Sequence, residues 1–188
     1  VFNKTLAKRG IKTPFDTKFS DQVANNKTYQ ATIRLGQNTT TDDAQGEITS
    51  TSDVSKVSDR EIRDFLASQV GSIMQVPTKV SAIKINGQRA YDLARKGKEV
   101  IIEPRPVKIY QNKLISYEYP KVVFVSAVGS GTYIRSLVKD FGDALGVGAY
   151  MSALRRTKIG TFNVEDALKW ETLQKDIEDI LKDESLER

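Results

Sequence analysis

Apolar and polar residues alternate along Thr28–Leu35 (Thr-Tyr-Gln-Ala-Thr-Ile-Arg-Leu), and this period of two predicts a strand. The same signal covers Val122–Val128, while Val100–Ile102 and Val107–Tyr119 read as strands separated by Pro104 and Pro106. Val80–Ile85 is a short strand candidate, followed by the tight-turn dipeptide Asn86-Gly87. A period near 3.6 appears elsewhere. Ser58-Asp59-Arg60-Glu61 forms a capping box, and Ile62, Phe65 and Leu66 then give the apolar stripe of a helix ending near Val70-Gly71. Tyr133–Leu145 reads as a helix stopped by Gly146, and Gln88–Lys96 as a short one ended by Gly97. Tyr150–Arg155, Val164–Leu168 and Trp170–Leu181 are further helix candidates, the last with Ile177, Ile180 and Leu181 as its buried stripe. Gly36–Gly46 reads as a polar loop, Arg156–Phe162 as a turn or strand, and Val1–Asn26 as irregular. Strands and helices mix without βαβ alternation. The expected fold class is therefore α+β, around a largely antiparallel sheet.

Composition narrows the chemistry. The 188 residues include no Cys and no His. Within this chain that removes disulfides, thiolate catalysis, zinc clusters and imidazole acid–base chemistry. It agrees with a reducing cytoplasm, the expected location. No apolar run approaches the roughly 20 residues that span a bilayer, so no membrane partner is expected. The formal charge of +5 favours a polyanionic partner, nucleic acid before membrane. Trp170–Arg188 is acid-rich, so the body before it is more basic than the total.

Three constellations carry possible chemistry. In Ser130-Gly131-Thr132-Tyr133-Ile134-Arg135, a glycine-rich turn brings an aromatic ring and a guanidinium to the mouth of a helix. Lys79, Lys84, Arg89 and Arg95 surround a turn and suit phosphate contacts, as do Arg155, Arg156 and Lys158. Tyr29 offers a ring for base stacking. Each also has an ordinary reading: a strand-to-helix connection, a solvated charged face, a core aromatic. The adjacent Asp42 and Asp43 read as an acid site or, more simply, as a turn. No glycine pattern forms a Walker or dinucleotide loop.

Taken in order, five segments resemble the TruB family of tRNA pseudouridine synthases: Lys27–Gly36, Thr39–Gly46, Gln75–Arg95, Ser130–Arg135 with Asp140–Gly146, and Leu154–Gly160. The resemblance implies a pseudouridine synthase fold, with helices flanking the sheet around a basic cleft. It implies an enzyme that isomerises uridine 55 in the T loop of tRNA to pseudouridine without metal or organic cofactor. The target base is flipped out of its stack into a pocket. Carried over by position, Tyr29 stacks on the target base and Arg135 pairs with the catalytic Asp. Tyr133, Leu154 and Asp43 join Tyr29 as substrate-binding residues, and Lys79, Lys84, Arg89, Arg155 and Arg156 lie along the RNA groove. The expected partner is the T-arm stem-loop of tRNA, and the expected state a monomer.

The family's nucleophilic Asp lies in a Gly-Thr-Leu-Asp-Pro motif that this sequence lacks. Family spacing puts it at or just before Val1, and Asp16 and Asp21 have other neighbours. The expected organisation is a poorly matching segment 1–26 and a single catalytic core 27–188, without the C-terminal RNA-binding domain. A non-catalytic tRNA-binding or folding module of the same fold is the alternative. A basic ribosome-associated structural protein is a third.

Overall fold

A computed structural model describes residues 26–53, 57–78, 84–85, 88–89, 102–167, 169–172 and 174–175. The expected irregularity of the first 25 residues, the position of Lys79, most of the Gln88–Lys96 helix and the stripe Ile177, Ile180 and Leu181 lie outside them.

Among the described residues the elements are, in chain order, β1 (Lys27–Leu35), β2 (Gln37–Thr39), β3 (Ile48–Thr51), α1 (Asp59–Ser68), β4 (Gly71–Gln75), β5 (Lys84–Ile85), β6 (Gln88–Arg89), β7 (Arg105–Glu118), β8 (Lys121–Val128), α2 (Ile134–Ala144), β9 (Ala149–Ile159) and β10 (Phe162–Asn163). Six strands form one sheet in the order β10-β9-β1-β8-β7-β4, with every neighbouring pair antiparallel. The α+β, antiparallel expectation holds. Two small hairpins, β2–β3 and β5–β6, stand beside the main sheet.

One face of the sheet is covered. Ala31, Ile33 and Leu35 of β1 alternate into the core with Val122, Phe124 and Val128 of β8. Ile62 and Leu66 of α1 and Leu137, Val138 and Phe141 of α2 close over them. Both helices lie on this same face, because Phe65 of α1 meets Phe141 of α2 edge to face at 4.9 Å. The capping box forms as expected: the Ser58 hydroxyl accepts from the Glu61 amide, and the Glu61 carboxylate accepts from the Ser58 amide.

Several local expectations fail for tertiary reasons. Gly36–Gly46 is not all loop, since β2 pairs with β3 across it. The helix expected to run to Val70 stops at Ser68, and Gly71 opens the edge strand β4. Gln88 and Arg89 are strand rather than helix, paired with Ile85 and Lys84. Pro106 does not break the chain. It lies in β7 opposite Met74, in a stretch that runs beyond the end of β8, where its missing N–H leaves no gap on that side. Tyr150–Arg155 is β9, not a helix, because β1 supplies its backbone partners from more than a hundred residues away. The Val164–Leu168 helix reduces to one 3-10 turn, Val164–Asp166.

Candidate active site

Arg135 is the second residue of α2, and its guanidinium is largely covered. Nη1 donates to Oδ2 of Asp43 at 2.9 Å, with side-chain exposures of 23% and 16% for the pair. Asp43 lies in the turn between β2 and β3. Its Oδ1 accepts from the Thr41 hydroxyl at 2.6 Å and from the Gln45 amide at 3.0 Å. The turn is itself fastened to the sheet: the Met151 amide donates to the Asp42 carbonyl, and the Ala44 amide to the Met151 carbonyl, both at 3.0 Å. The carboxylate is thus fixed before it meets the arginine. Burial and ion pairing of this kind orient a guanidinium.

The base of Arg135 is held separately. Tyr133 is the N-cap of α2, in extended conformation and without a side-chain capping bond of its own. Gln75 holds the backbone of that N-cap residue instead. Its Oε1 accepts from the Tyr133 amide at 2.8 Å, and its Nε2 donates to the Tyr133 carbonyl at 3.1 Å. Arg105, directly opposite Gln75 in the β4–β7 ladder, donates from Nη2 to the Gly131 carbonyl at 2.9 Å. Its guanidinium carbon lies 5.1 Å from the centre of the Tyr133 ring. Gly131 has φ +85°, which explains the glycine, because open space surrounds the position where a Cβ would stand. Sequence reasoning missed both Gln75 and Arg105. The available signal was a polar amide ending an otherwise apolar approach to Val76-Pro77, too weak to separate from surface polarity.

Strand β9 decides which basic residues face this side. It carries two extra residues relative to β1, at Ser152 and Thr157. The first shifts the alternation, so that Leu154 opposes Ala31 and Arg156 opposes Tyr29. Directly opposed residues of an antiparallel pair share a face. Tyr29, Leu154 and Arg156 therefore stand on the helix-covered side, with Tyr29 packed partly against the core and Leu154 43% exposed. Arg155 opposes Gln30 on the other face and lies 3.6 Å from Glu165. The register thus puts Arg155 and Arg156 on opposite faces of β9. Beyond Arg156, a shallow cavity of about 200 Å³ runs under the β9–β10 hairpin, lined by Arg156, Lys158, Ile159, Phe162 and Asn163 among others. Lys84 and Arg89 are directly paired in the β5–β6 hairpin, and their side chains lie outside the described residues. Among the described residues no group of three or more acidic side chains could hold a metal ion.

Asp42, beside Asp43, adopts φ +59°. Burial raises its carboxyl above the usual range, against the opposing pull of Lys139 and Arg135, while Asp143 and Asp43 add to the rise. Burial raises Asp140 as well. A carboxyl with a raised folded pKa holds its proton to higher pH in the folded state than in the unfolded state. Stability therefore falls as pH climbs from the ordinary carboxylate range through the raised value. Asp42→Asn keeps a residue suited to positive φ and removes the buried charge. Thermal melts from about pH 4 to pH 7 should show a flatter decline and a higher Tm at neutral pH for this variant. A variant less stable than the parent at neutral pH would contradict the account.

The six-stranded antiparallel sheet thus carries α1 and α2 on one face, with the Arg135–Asp43 pair at the mouth of α2. A chain in a solved Cbf5-Nop10-Gar1 complex superposes with a TM-score of 0.55 and 30% identity, covering 79% of this chain and 35% of that one. A chain of an H/ACA RNP bound to a substrate RNA containing 2'-deoxyuridine gives a TM-score of 0.52 at 26% identity, over 81% and 34%. The model of the TruB family pseudouridylate synthase N-terminal domain matches residues 12–134, and that of the tRNA pseudouridylate synthase B C-terminal domain matches 135–188. The chain belongs to the TruB family. The two stretches meet inside α2, and β9, from the second, is hydrogen-bonded to β1, from the first. The tRNA pseudouridine synthase B of Corynebacterium glutamicum (strain R) is 46% identical over 167 residues, covering 86% of this chain and 56% of that protein. Its counterpart in Corynebacterium jeikeium is 43% identical over 175 residues, covering 85% and 55%. The chain thus spans about half the length of these relatives.

Proposed function

We propose that this chain carries the core of a tRNA pseudouridine synthase whose target is uridine 55 in the T loop. The observation that carries the reading is the Arg135 guanidinium, fixed by Asp43 at the mouth of α2 on the face that also bears Tyr29 and Leu154. In the reaction the uracil leaves the ribose at N1, turns, and rejoins through C5, whose hydrogen is released. Arg135 keeps the attacking carboxylate ionised and oriented. Asp43 is committed to Thr41, Gln45 and Arg135, so it serves as the anchor of that arginine and not as the nucleophile. Tyr29 stacks on the flipped uracil, and Leu154 gives the pocket an apolar wall. Tyr133 supports the site through its backbone and its stacking on Arg105.

The partner is the T-arm stem-loop of tRNA, bound by a monomer. Lys79, Lys84, Arg89 and Arg156 contact phosphate. The direct test supplies the full-length protein with tRNA tritiated at C5 of its uridines. Stoichiometric tritium release, abolished when uridine 55 is replaced by cytidine, is expected. Tight tRNA binding without release would replace this reading by a non-catalytic module. Salt gives a separate check. With about four phosphate contacts, affinity should fall roughly 50- to 150-fold between about 50 and 200 mM salt, and Arg156→Gln should lower the log–log slope by about one. A salt-independent Kd would remove the basic residues from the interface.

A further inference from the structure

We propose that Gln75 and Arg105 are positioning residues that set where Arg135 stands in the site. The proposal rests on reading Arg135 as the arginine that serves the reaction. The two residues are a single directly opposed pair on β4 and β7, and both reach the same turn. Gln75 is 1% exposed. A primary amide so placed is expensive unless hydrogen-bonded, and a Leu or Met would fill the same volume without that cost. Both of its polar groups are used on one residue, the amide and the carbonyl of Tyr133. That two-point contact fixes the N-cap of α2, and Arg135 follows two residues later.

Arg105 holds the preceding residues. Its Nη2 bonds the Gly131 carbonyl and its guanidinium covers the Tyr133 ring, while its Nε is buried without an acceptor. An unpaired buried donor is a penalty that packing alone does not explain. It is tolerated because the planar fork reaches a carbonyl and a ring face together, which an ammonium cannot do. The start of α2 is therefore gripped at the β4 edge of the sheet. The guanidinium of Arg135 is gripped by Asp43, whose turn is tied to β9 nearly at the other edge. With both ends held, the arginine is placed before substrate arrives. Displacing a reacting or orienting group by about 1 Å costs on the order of 100-fold in rate.

The test uses the full-length protein and its tRNA substrate. Gln75→Met keeps the volume and removes both bonds to Tyr133. It should lower kcat by about 10- to 100-fold with KM for tRNA within about twofold, measured well below the variant's Tm. The decisive readout is the double variant: in an Arg135→Lys background, Gln75→Met should lower kcat by less than about twofold further. Multiplicative losses in the double variant, or a folded Gln75→Met protein with parental kcat, would overturn the proposal. Should Gln75→Met fail to fold, Arg105→Lys carries the same comparison at a partly exposed position. If Arg135→Lys alone leaves kcat intact, the reading of Arg135 itself falls, and the positioning role with it.

Discussion

Arg135→Lys is expected to lower kcat for pseudouridine formation by about 100-fold or more, with tRNA affinity within about twofold and Tm little changed. Lysine retains the positive charge, so a role in bulk attraction of RNA would survive the change. It does not retain the planar fork. In the structure Asp43 holds one nitrogen of that fork, which fixes the plane of the guanidinium. A lysine can satisfy Asp43 or an approaching carboxylate, but it cannot serve two carboxylates in fixed directions. Because the pair is partly exposed, at 23% and 16%, loss of the fork affects folding less than loss of a fully buried ion pair would. Steady-state kinetics with tRNA, filter binding and thermal melts separate the three quantities. A kcat within about threefold of the parent would reduce Arg135 to a structural ion pair.

Gly142→Ala is expected to be the most destabilising single methyl that the described fold can receive. Alanine in the middle of a helix normally stabilises by up to about 1 kcal/mol over glycine. Here the contact reverses the sign. A Cβ on Gly142 would stand 2.3 Å from the Ala149 nitrogen and 2.6 Å from the Gly148 carbonyl carbon. Those atoms are backbone, and they open β9, so they cannot swing aside as a side chain would. The Gly148 amide also donates to the Gly142 carbonyl at 3.1 Å, so the helix and the strand entry are bonded where they touch. Overpacking of this kind costs about 1–3 kcal/mol or more, which for a chain of this size lowers Tm by roughly 2–12 °C. An unchanged Tm would contradict this account of the α2–β9 contact. The variant also bears on the site, since α2 carries Arg135 about two turns earlier and β9 carries Leu154 and Arg156.

Much of the frame was legible in the residues. The alternation of Thr28–Leu35 and Val122–Val128 marked two strands that became neighbours, β1 and β8. The capping box at Ser58 and the glycine after Leu145 marked the helix ends within a residue or two. These signals are local. A cap is satisfied by a residue three positions away, and a half-buried strand must alternate whatever it pairs with. Motif order was legible too: the Gly-Thr-Tyr-Ile-Arg turn was recognisable as a helix mouth presenting an arginine, and the family match agrees with the resemblance of the ordered segments.

The sequence by itself determined the α+β class, the basic character, the exclusion of His and Cys chemistry and the identity of the arginine at the helix mouth. Only the tertiary structure decided what surrounds that arginine. Asp43 meets Arg135 across 92 positions of chain, and Gln75 meets Tyr133 across 58. No periodicity encodes such contacts. The helix-favouring residues of Tyr150–Arg155 became a strand because β1 offered a ladder that outweighs propensities of a few tenths of a kcal/mol each. Within that strand the extra residue at Ser152 exchanged the faces of the residues up to Thr157, which put Leu154 and Arg156 beside Tyr29 and turned Arg155 away. A period-two pattern states only that neighbours alternate. Which set faces the site depends on register, and register is fixed by the partner strand.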